Sequence, residues 1–217
     1  EIQLTATILP KNTTDKTITW TSSNDNVATV SSTGLLKIIG YGNVTITART
    51  SNNKVSEKNI NIHMYIKEIS AGEDYSLVID SEGNLWTWGL NNYGQLGNGT
   101  TTNSLILIQI KSGTKFTSIS AGNNHSLAID AEGNLWTWGL NNYGQLGNGT
   151  TANSLEPIQI KSGTKFTSIS AGCVYSLAID TEGNLWTWGL NNYGQLGNNT
   201  VYNSKVPIQV KKGTKFK

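Results

Sequence analysis

The chain has 217 residues, with 16 basic and 14 acidic side chains and a formal net charge of +2. This balance lacks the basic stripe of a nucleic-acid-binding domain, so no nucleic-acid partner is expected. The single cysteine, Cys173, excludes an internal disulfide and a thiolate metal cage. No apolar run approaches the roughly 18 residues that a membrane-spanning helix needs.

The first 62 residues alternate apolar and polar positions, as half-buried strands do. The pattern predicts strands at residues 4–10, 18–22, 27–30, 35–38, 43–48 and 58–62. Six short strands around one central tryptophan, Trp20, with no helical periodicity, predict a small antiparallel β-sandwich.

Three runs in this segment, ITWTSSN at 18–24, VATV at 27–30 and GNVTITA at 42–48, resemble the bacterial Ig-like domain, group 2. The resemblance implies a first strand that lies upstream of Leu4 and is only partly present here. It also implies an extracellular bacterial protein in which this module serves as a stalk or adhesion spacer. We expect the domain to span residues 1–63, followed by a junction too short to be a flexible linker.

The rest of the chain, residues 64–217, contains three tandem repeats of 50 residues, at 67–116, 117–166 and 167–216. The first and second repeats differ at ten positions, and the second and third differ at eleven. Self-similarity at a fixed period indicates supersecondary units that stack on one another.

Within the second repeat the alternation predicts strands at 118–120, 126–129, 135–138 and 157–160. Pro157 is expected at the start of the last strand, where a missing N–H is tolerated. Residues 130–134 are predicted to form a hairpin turn, and residues 139–154 a long loop rich in Gly and Asn. Four short strands in about 50 residues are typical of a propeller blade, which must stack because both its faces are apolar.

Three runs of the second repeat, SAGNNHSL at 120–127, EGNLWTWG at 132–139 and NYGQLG at 142–147, have close counterparts in the other two repeats. They resemble the regulator of chromosome condensation propeller repeat. The resemblance implies a ring that usually holds seven blades, so that three blades would form an open arc. We expect the remaining blades beyond Lys217; the alternative is that chains associate through open blade edges. The expected fold is therefore all-β, an Ig-like β-sandwich followed by three blades of an incomplete β-propeller.

The sequence contains no Gly-x-Ser-x-Gly and no His-Glu-x-x-His motif, and its two histidines, His63 and His125, lie in different modules. The glycine-rich loops lack the Gly-Lys-Ser/Thr ending and the following helix of a phosphate site, so tight turns explain them better. The segment 80–84 and its counterparts lack the ligand spacing of a calcium loop. We therefore expect no enzymatic activity, no cofactor and no metal.

The repeats differ most informatively in two predicted loops, and loops on a rigid scaffold commonly carry recognition. The alternative is that the loops differ only because solvent-exposed positions change without consequence. For the position held by Tyr75, His125 and Tyr175 the alternative is a packing role, and for Cys173 it is an inert thiol. The candidate partner-binding residues are Glu73, Asp74, Tyr75, Asn123, Asn124, His125, Cys173, Val174 and Tyr175 in one loop, and Thr102, Ala152 and Tyr202 in the other.

These observations favour a non-enzymatic extracellular or cell-surface bacterial protein that displays a propeller on an Ig-like spacer and binds a protein or a glycan. A first alternative is an inhibitor or regulator of a partner enzyme, because the resembling propeller family includes a β-lactamase inhibitor. Guanine-nucleotide exchange, which that family also includes, is less favoured. A further alternative is an enzyme whose chemistry lies in another part of a longer chain.

Overall fold

The computed structural model describes residues 1–9 and 14–216, and it divides the chain into two compact units, Glu1–Met64 and Tyr65–Lys217. The regular elements of the described residues are all strands, which confirms the all-β expectation. No helix in this part of the chain has the length and apolar character needed to cross a membrane.

The first unit is a sandwich of two three-stranded antiparallel sheets, with strand orders β1-β4-β3 and β2-β5-β6. Its core contains Val27, Leu36, Val44 and Ile46, with Trp20 packed against them. The strands are β1 Ile2–Gln3, β2 Ile18–Ser22, β3 Ala28–Val30, β4 Leu35–Ile38, β5 Gly42–Thr50 and β6 Val55–Ile62.

The strand predicted at residues 4–10 is wrong: residues 4–9 form no strand, and Pro10 lies outside the described residues. The alternation that suggested it is present as burial, because Leu4, Ala6 and Ile8 are half-buried while their neighbours are exposed. Pairing ends earlier, since Ile2–Gln3 already occupies the start of β4 and the Leu4 amide donates to the Gly34 carbonyl. Alternation reports which side chains are covered, not whether the backbone has a partner strand.

The second unit consists of three four-stranded antiparallel sheets, each with its strands side by side in chain order. The first strands of successive sheets lie next to one another, as in consecutive propeller blades. The strands are β7 Ile66–Ala71, β8 Tyr75–Asp80, β9 Leu85–Gly89, β10 Ser104–Ile110, β11 Phe116–Ala121, β12 His125–Asp130, β13 Leu135–Gly139, β14 Ser154–Ile160, β15 Phe166–Ala171, β16 Tyr175–Asp180, β17 Leu185–Gly189 and β18 Ser204–Val210.

Pro157 lies in the middle of β14 and not at its start, which corrects the sequence-based prediction. Two features allow a residue without an N–H there. The strand is the last in its sheet, and its pairing with β13 shifts between Gly139↔Ser154 and Thr137↔Ile158, so that Pro157 falls in the irregular part of the ladder. Proline is tolerated at such edges and bulges because no ladder hydrogen bond is lost.

Each hydrophobic core of the second unit lies between two sheets and not within one. The first core joins Leu77, Leu85 and Leu96 of the first sheet and its long loop to Phe116 and Trp138 of the second sheet. The second core joins residues of β12–β14 to Phe166, Ala178 and Trp188 of the third sheet. Stacking therefore supplies the burial that a single sheet could not provide.

A buried aspartate closes the turn between the second and third strands of each sheet. Asp130 Oδ1 accepts hydrogen bonds from the Glu132 and Asn134 amides, at 3.0 and 2.8 Å. Its Oδ2 accepts from Asn134 Nδ2 and Trp136 Nε1, both at 2.8 Å. Asp80 and Asp180 repeat this arrangement. Both carboxylate oxygens of the aspartate in the segment compared above with a calcium loop thus accept hydrogen bonds from its own turn and from the tryptophan that follows.

Burial by itself would raise the pKa of Asp130 and Asp180, but the hydrogen bonds from the following Trp and Asn and from the turn amides outweigh it. The pKa of both carboxyl groups is therefore lower than usual. A group whose pKa falls on folding stabilises the chain above its ordinary pKa and loses that contribution as pH decreases.

Asp130→Ala should lower the free energy of unfolding by about 3 kcal/mol at pH 7, because four donors lose their acceptor. The difference from wild type should shrink as pH falls below about 4, because Asp130 of the unfolded chain takes up a proton there before the folded carboxylate does. Urea denaturation at about pH 7 and about pH 3 measures this change. Glu132→Ala, an exposed neighbour in the same turn, is the control, and an equal loss in both variants would contradict the role of Asp130.

Candidate functional site

The two loops in which the repeats differ emerge from the same end of the sheets. In the first sheet Gly89, at the end of β9, pairs with Tyr75 on one side and with Ser104 on the other. The Leu90 amide also donates to the Asp74 carbonyl at 2.9 Å, which ties the long loop to the short turn. The other two sheets have the same register. We call this end the loop face; it comprises residues 72–74, 90–103, 122–124, 140–153, 172–174 and 190–203.

The short turns of the loop face form a continuous row across the three sheets. The Glu73 amide donates to the Asn123 carbonyl, and the Asn123 amide donates to the Cys173 carbonyl, both at 3.3 Å. Asn124 Nδ2 also donates to Glu73 Oε2 at 3.4 Å. We call residues 73–74, 123–124 and 173–174 the turn row.

The chemistry of the turn row changes from one sheet to the next while its backbone contacts are retained. Glu73 and Asp74 present two exposed carboxylates. Asn123 and Asn124 are half-buried amides, and the third turn presents the exposed thiol of Cys173 beside the half-buried Val174. The row therefore offers acidic, amide and weakly polar to apolar groups side by side.

A fully buried asparagine organises each long loop. Asn91 Oδ1 accepts from the Leu96 amide at 2.9 Å, and its Nδ2 donates to the carbonyls of Thr100 and Thr102 at 2.9 and 3.1 Å. Asn141 and Asn191 make the same bonds.

The bonds from these asparagines use only the backbone carbonyls of residue 102 and its counterparts 152 and 202. The side chains at these three positions can therefore vary. Thr102, Ala152 and Tyr202 are all exposed, and 78% of the Tyr202 surface is accessible. The second group of candidate residues thus lies on the loop face together with the turn row.

Tyr75 and His125 occupy a different environment from the other candidates. They are only 3% and 0% exposed, and Tyr175 is half-buried. The Tyr75 hydroxyl donates to the His125 carbonyl and accepts from Ser126 Oγ in the next sheet. Tyr75 and His125 therefore pack between sheets and are not available to a partner, which corrects their selection as binding residues and favours the packing alternative.

The contacts that hold one sheet to the next were not identified from the sequence. The backbone carbonyl of Gln95 accepts hydrogen bonds from Trp138 Nε1 at 2.8 Å and from Ser126 Oγ at 2.9 Å. The side chain of Gln95 donates from Nε2 to Asn124 Oδ1 at 2.9 Å. We call this set the first junction. The second junction, between the second and third sheets, uses Gln145 in the same way toward Trp188 and Ser176. The sequence does contain a signal for these contacts, the repeated Gln-Leu-Gly run. The residues that bond to its glutamine, however, belong to the following repeat.

One glycine of the long loop is required by the junction as well as by the turn. Gly97 has φ of +76°, and a Cβ built there would lie 2.8 Å from Trp138 Nε1 and 2.9 Å from Trp138 Cδ1. Gly147 meets Trp188 in the same way. The glycine-rich loops therefore allow the backbone to lie against an indole ring of the next sheet, in addition to turning.

Among residues 1–9 and 14–216, no group of three or more His, Cys, Asp or Glu side chains is arranged to hold a metal ion. The cysteine is a free, exposed thiol. The loop face presents carboxylates, amides, a thiol and exposed apolar side chains.

Comparison with protein families gives two matches. The family described as the regulator of chromosome condensation (RCC1) repeat matches residues 82–129, 132–179 and 182–217, and a second model of the same repeat matches 66–95, 116–145 and 166–195. The bacterial Ig-like domain (group 2) matches residues 1–60. Both resemblances inferred from the sequence are confirmed.

Among solved structures, yeast RCC1 (Prp20), in its complex with Kap60, is similar with a TM-score of 0.62 and 18% identity, over 86% of this chain and 46% of that one. Human WBSCR16 gives a TM-score of 0.62 and 20% identity, over 82% of this chain and 48% of that one. The chain thus spans about half the length of these proteins, and at these identities the likeness concerns the fold alone.

Two curated bacterial proteins match short segments. A 3-O-alpha-D-galactosyl-alpha-L-arabinofuranosidase of Bifidobacterium longum subsp. longum is 47% identical over 47 residues, which is 22% of this chain and 4% of that protein. A kappa-carrageenase of Pseudoalteromonas carrageenovora is 47% identical over 49 residues, 23% of this chain and 12% of that protein. The shared segment is a small part of each enzyme.

Gly97→Ala should lower the free energy of unfolding by about 3 kcal/mol, because the new methyl group combines unfavourable positive φ with a clash against the Trp138 indole. Gly113→Ala is the matched control: its φ is +91°, but nothing lies within 4 Å of the added methyl group. The control should cost only about 1 kcal/mol. Thermal and urea denaturation of the full chain compare the two variants, and equal losses would show that only the backbone conformation matters.

Proposed function

Since the chain belongs to the regulator of chromosome condensation (RCC1) repeat family and carries a bacterial Ig-like domain (group 2) at its N-terminus, we propose that it is a non-enzymatic binding protein whose loop face contacts a protein partner. Propellers of this repeat family are mostly binding or regulatory proteins. The proposal therefore assigns recognition to the face where the three repeats differ.

The observation that carries the proposal is the turn row. Neighbouring turns are joined by the same backbone hydrogen bonds, while their side chains change from carboxylate to amide to thiol and aliphatic groups. A rigid backbone with side chains of different chemistry is the arrangement that recognition loops use. Tyr202 adds an exposed aromatic ring on the same face, and aromatic rings are frequent energetic centres of interfaces.

We further propose an extracellular or cell-surface location in a bacterium, with the Ig-like unit as a spacer. The support is the family of the first unit, and the two short-segment relatives are also bacterial. A protein partner is favoured over a glycan because the turn row begins with two exposed carboxylates, which pair well with basic side chains of a protein.

The test compares the full chain with a variant whose turn row is made uniform, Glu73→Asn, Asp74→Asn, Cys173→Asn and Val174→Asn. All four residues become those that the second repeat already carries, so the fold should be retained. Immobilised protein is incubated with envelope extract of the source bacterium and with host-cell extract. We expect the variant to bind the captured partner at least about tenfold more weakly, as loss of one well-placed contact produces.

The matched control changes the opposite end of the sheets, with Glu82→Gln, Glu132→Gln and Glu182→Gln, all exposed. Equal capture by the wild type and by the turn-row variant would contradict the proposal. Digestion of the extract with protease or its oxidation with periodate distinguishes a protein partner from a glycan.

Self-association through open sheet edges stays a prediction, and a native mass equal to the 23.4 kDa monomer would contradict it.

A further inference from the structure

The first and second junctions are built from the same repeat, yet they differ in how well their buried polar atoms are satisfied. In the first junction Gln95 Nε2 donates to Asn124 Oδ1, and the Tyr75 hydroxyl has both a donor and an acceptor partner in the second sheet. No side-chain atom of Tyr75 or Gln95 is among the buried atoms without a partner in the described residues.

The second junction contains two substitutions relative to the first. His125 replaces Tyr75, and its Nε2 lies 3.0 Å from Ser176 Oγ while its Nδ1 has no hydrogen-bond partner. Val174 replaces Asn124, so that Gln145 Nε2 loses the acceptor that Gln95 has and is also left without a partner. His125 and Gln145 are both 0% exposed. Unpaired buried polar atoms destabilise packing, so the second junction is the weaker of the two.

The surroundings of His125 offer little to stabilise a positive charge. Of the titratable side chains, Tyr75 bonds to the His125 backbone carbonyl, and Tyr175 holds the matching position in the third sheet. Lys205, a cation, packs against Gly144 in the loop that carries Gln145.

The Glu73 carboxylate bonds to Asn124, the residue before His125, and not to the ring. In the described part of the chain, no Asp or Glu hydrogen-bonds to the His125 imidazole. A buried charge without such a partner is strongly unfavourable.

We propose that the second junction is an acid-sensitive hinge: uptake of a proton by His125 separates the third sheet from the second, while the first junction stays closed. Separation gives the imidazolium access to water and frees Gln145, and it uncovers Trp188, which is 0% exposed in the closed form. It also breaks the Asn123–Cys173 backbone contact of the turn row. Acid would therefore divide the loop face, a consequence that rests on the proposed function, whereas the opening itself does not.

The direction of the pH dependence follows from the neutral ring in the closed form. Burial lowers the pKa of His125 to about 4, and hydrogen bonding to the Tyr175 backbone offsets only part of this effect. The pKa of His125 is lower in the closed form than in the open form. The third sheet therefore packs most strongly on the second above about pH 6.5, and this packing weakens as pH falls toward 4. With these values the opening equilibrium should rise about 30-fold between pH 8 and pH 5.

The experiment is amide hydrogen exchange of the full chain at pH 8 and pH 5, corrected for intrinsic rates. We expect protection of β16 and β17 to fall about 30-fold between these pH values, because a sheet that has lost its stacking partner no longer keeps its strand ladder closed. Protection of β8 and β9 should change much less. His125→Tyr places in the second junction the residue that the first junction has, and it should abolish the selective loss. Unchanged protection of β16 and β17 in the wild type, or an equal loss in His125→Tyr, would overturn the proposal.

Two further variants keep the test independent of how well His125→Tyr folds. Val174→Asn restores the acceptor for Gln145 Nε2 and should raise protection of β16 at both pH values without removing the pH dependence. Tyr75→His adds an imidazole to the first junction, and acid sensitivity should then appear in β8 as well. NMR titration adds a direct reading, with exposed His63 as the only other imidazole in the chain. A His125 signal that titrates near pH 6.5 while β16 stays protected would also overturn the proposal.

Discussion

The fold of the second unit depends on one kind of contact, which is made twice: the backbone carbonyl of a glutamine in one sheet's long loop accepts a hydrogen bond from an indole of the next sheet. Trp138 Nε1 donates to the Gln95 carbonyl at 2.8 Å, and Trp188 Nε1 donates to the Gln145 carbonyl at 2.7 Å. Both indoles are fully buried in cores that exist only when two sheets are stacked. A tryptophan can be buried at this depth because its single donor has found an acceptor.

The bonds within the long loops determine how freely the loop face can vary. The backbone of each long loop is held by a buried asparagine, and the first two loops are also held by a junction. Exposed side chains such as Thr102, Ala152 and Tyr202 can therefore change without disturbing these bonds. The turn row is less independent. Asn124 is both a loop-face residue and the acceptor for Gln95, and where Val174 takes its place a buried amide loses its partner.

The difference between the junctions shows why near-identical repeats need not be equivalent. A change in one repeat alters an interface with its neighbour, so its energetic effect depends on residues about 50 positions away. The pair His125 and Val174 illustrates this: both are acceptable in their own strand and turn, and their consequences appear only in the second junction. Sequence variation on the loop face and stability of the stack are therefore coupled through the same few residues.

The sequence by itself determined the all-β class, both families, the strand periodicity and the position of most strands, because alternation, turn residues and a 50-residue period are local signals. It erred at residues 4–9, where alternation reflected burial without pairing, and at Pro157, where an edge bulge absorbs the missing donor. Only the tertiary structure decided that the two variable loops share one face, that Tyr75 and His125 are buried between sheets, and that Gln145 Nε2 has no hydrogen-bond partner. Those features depend on which sheet lies beside which, and a packing neighbour from another repeat leaves no periodic trace in the chain.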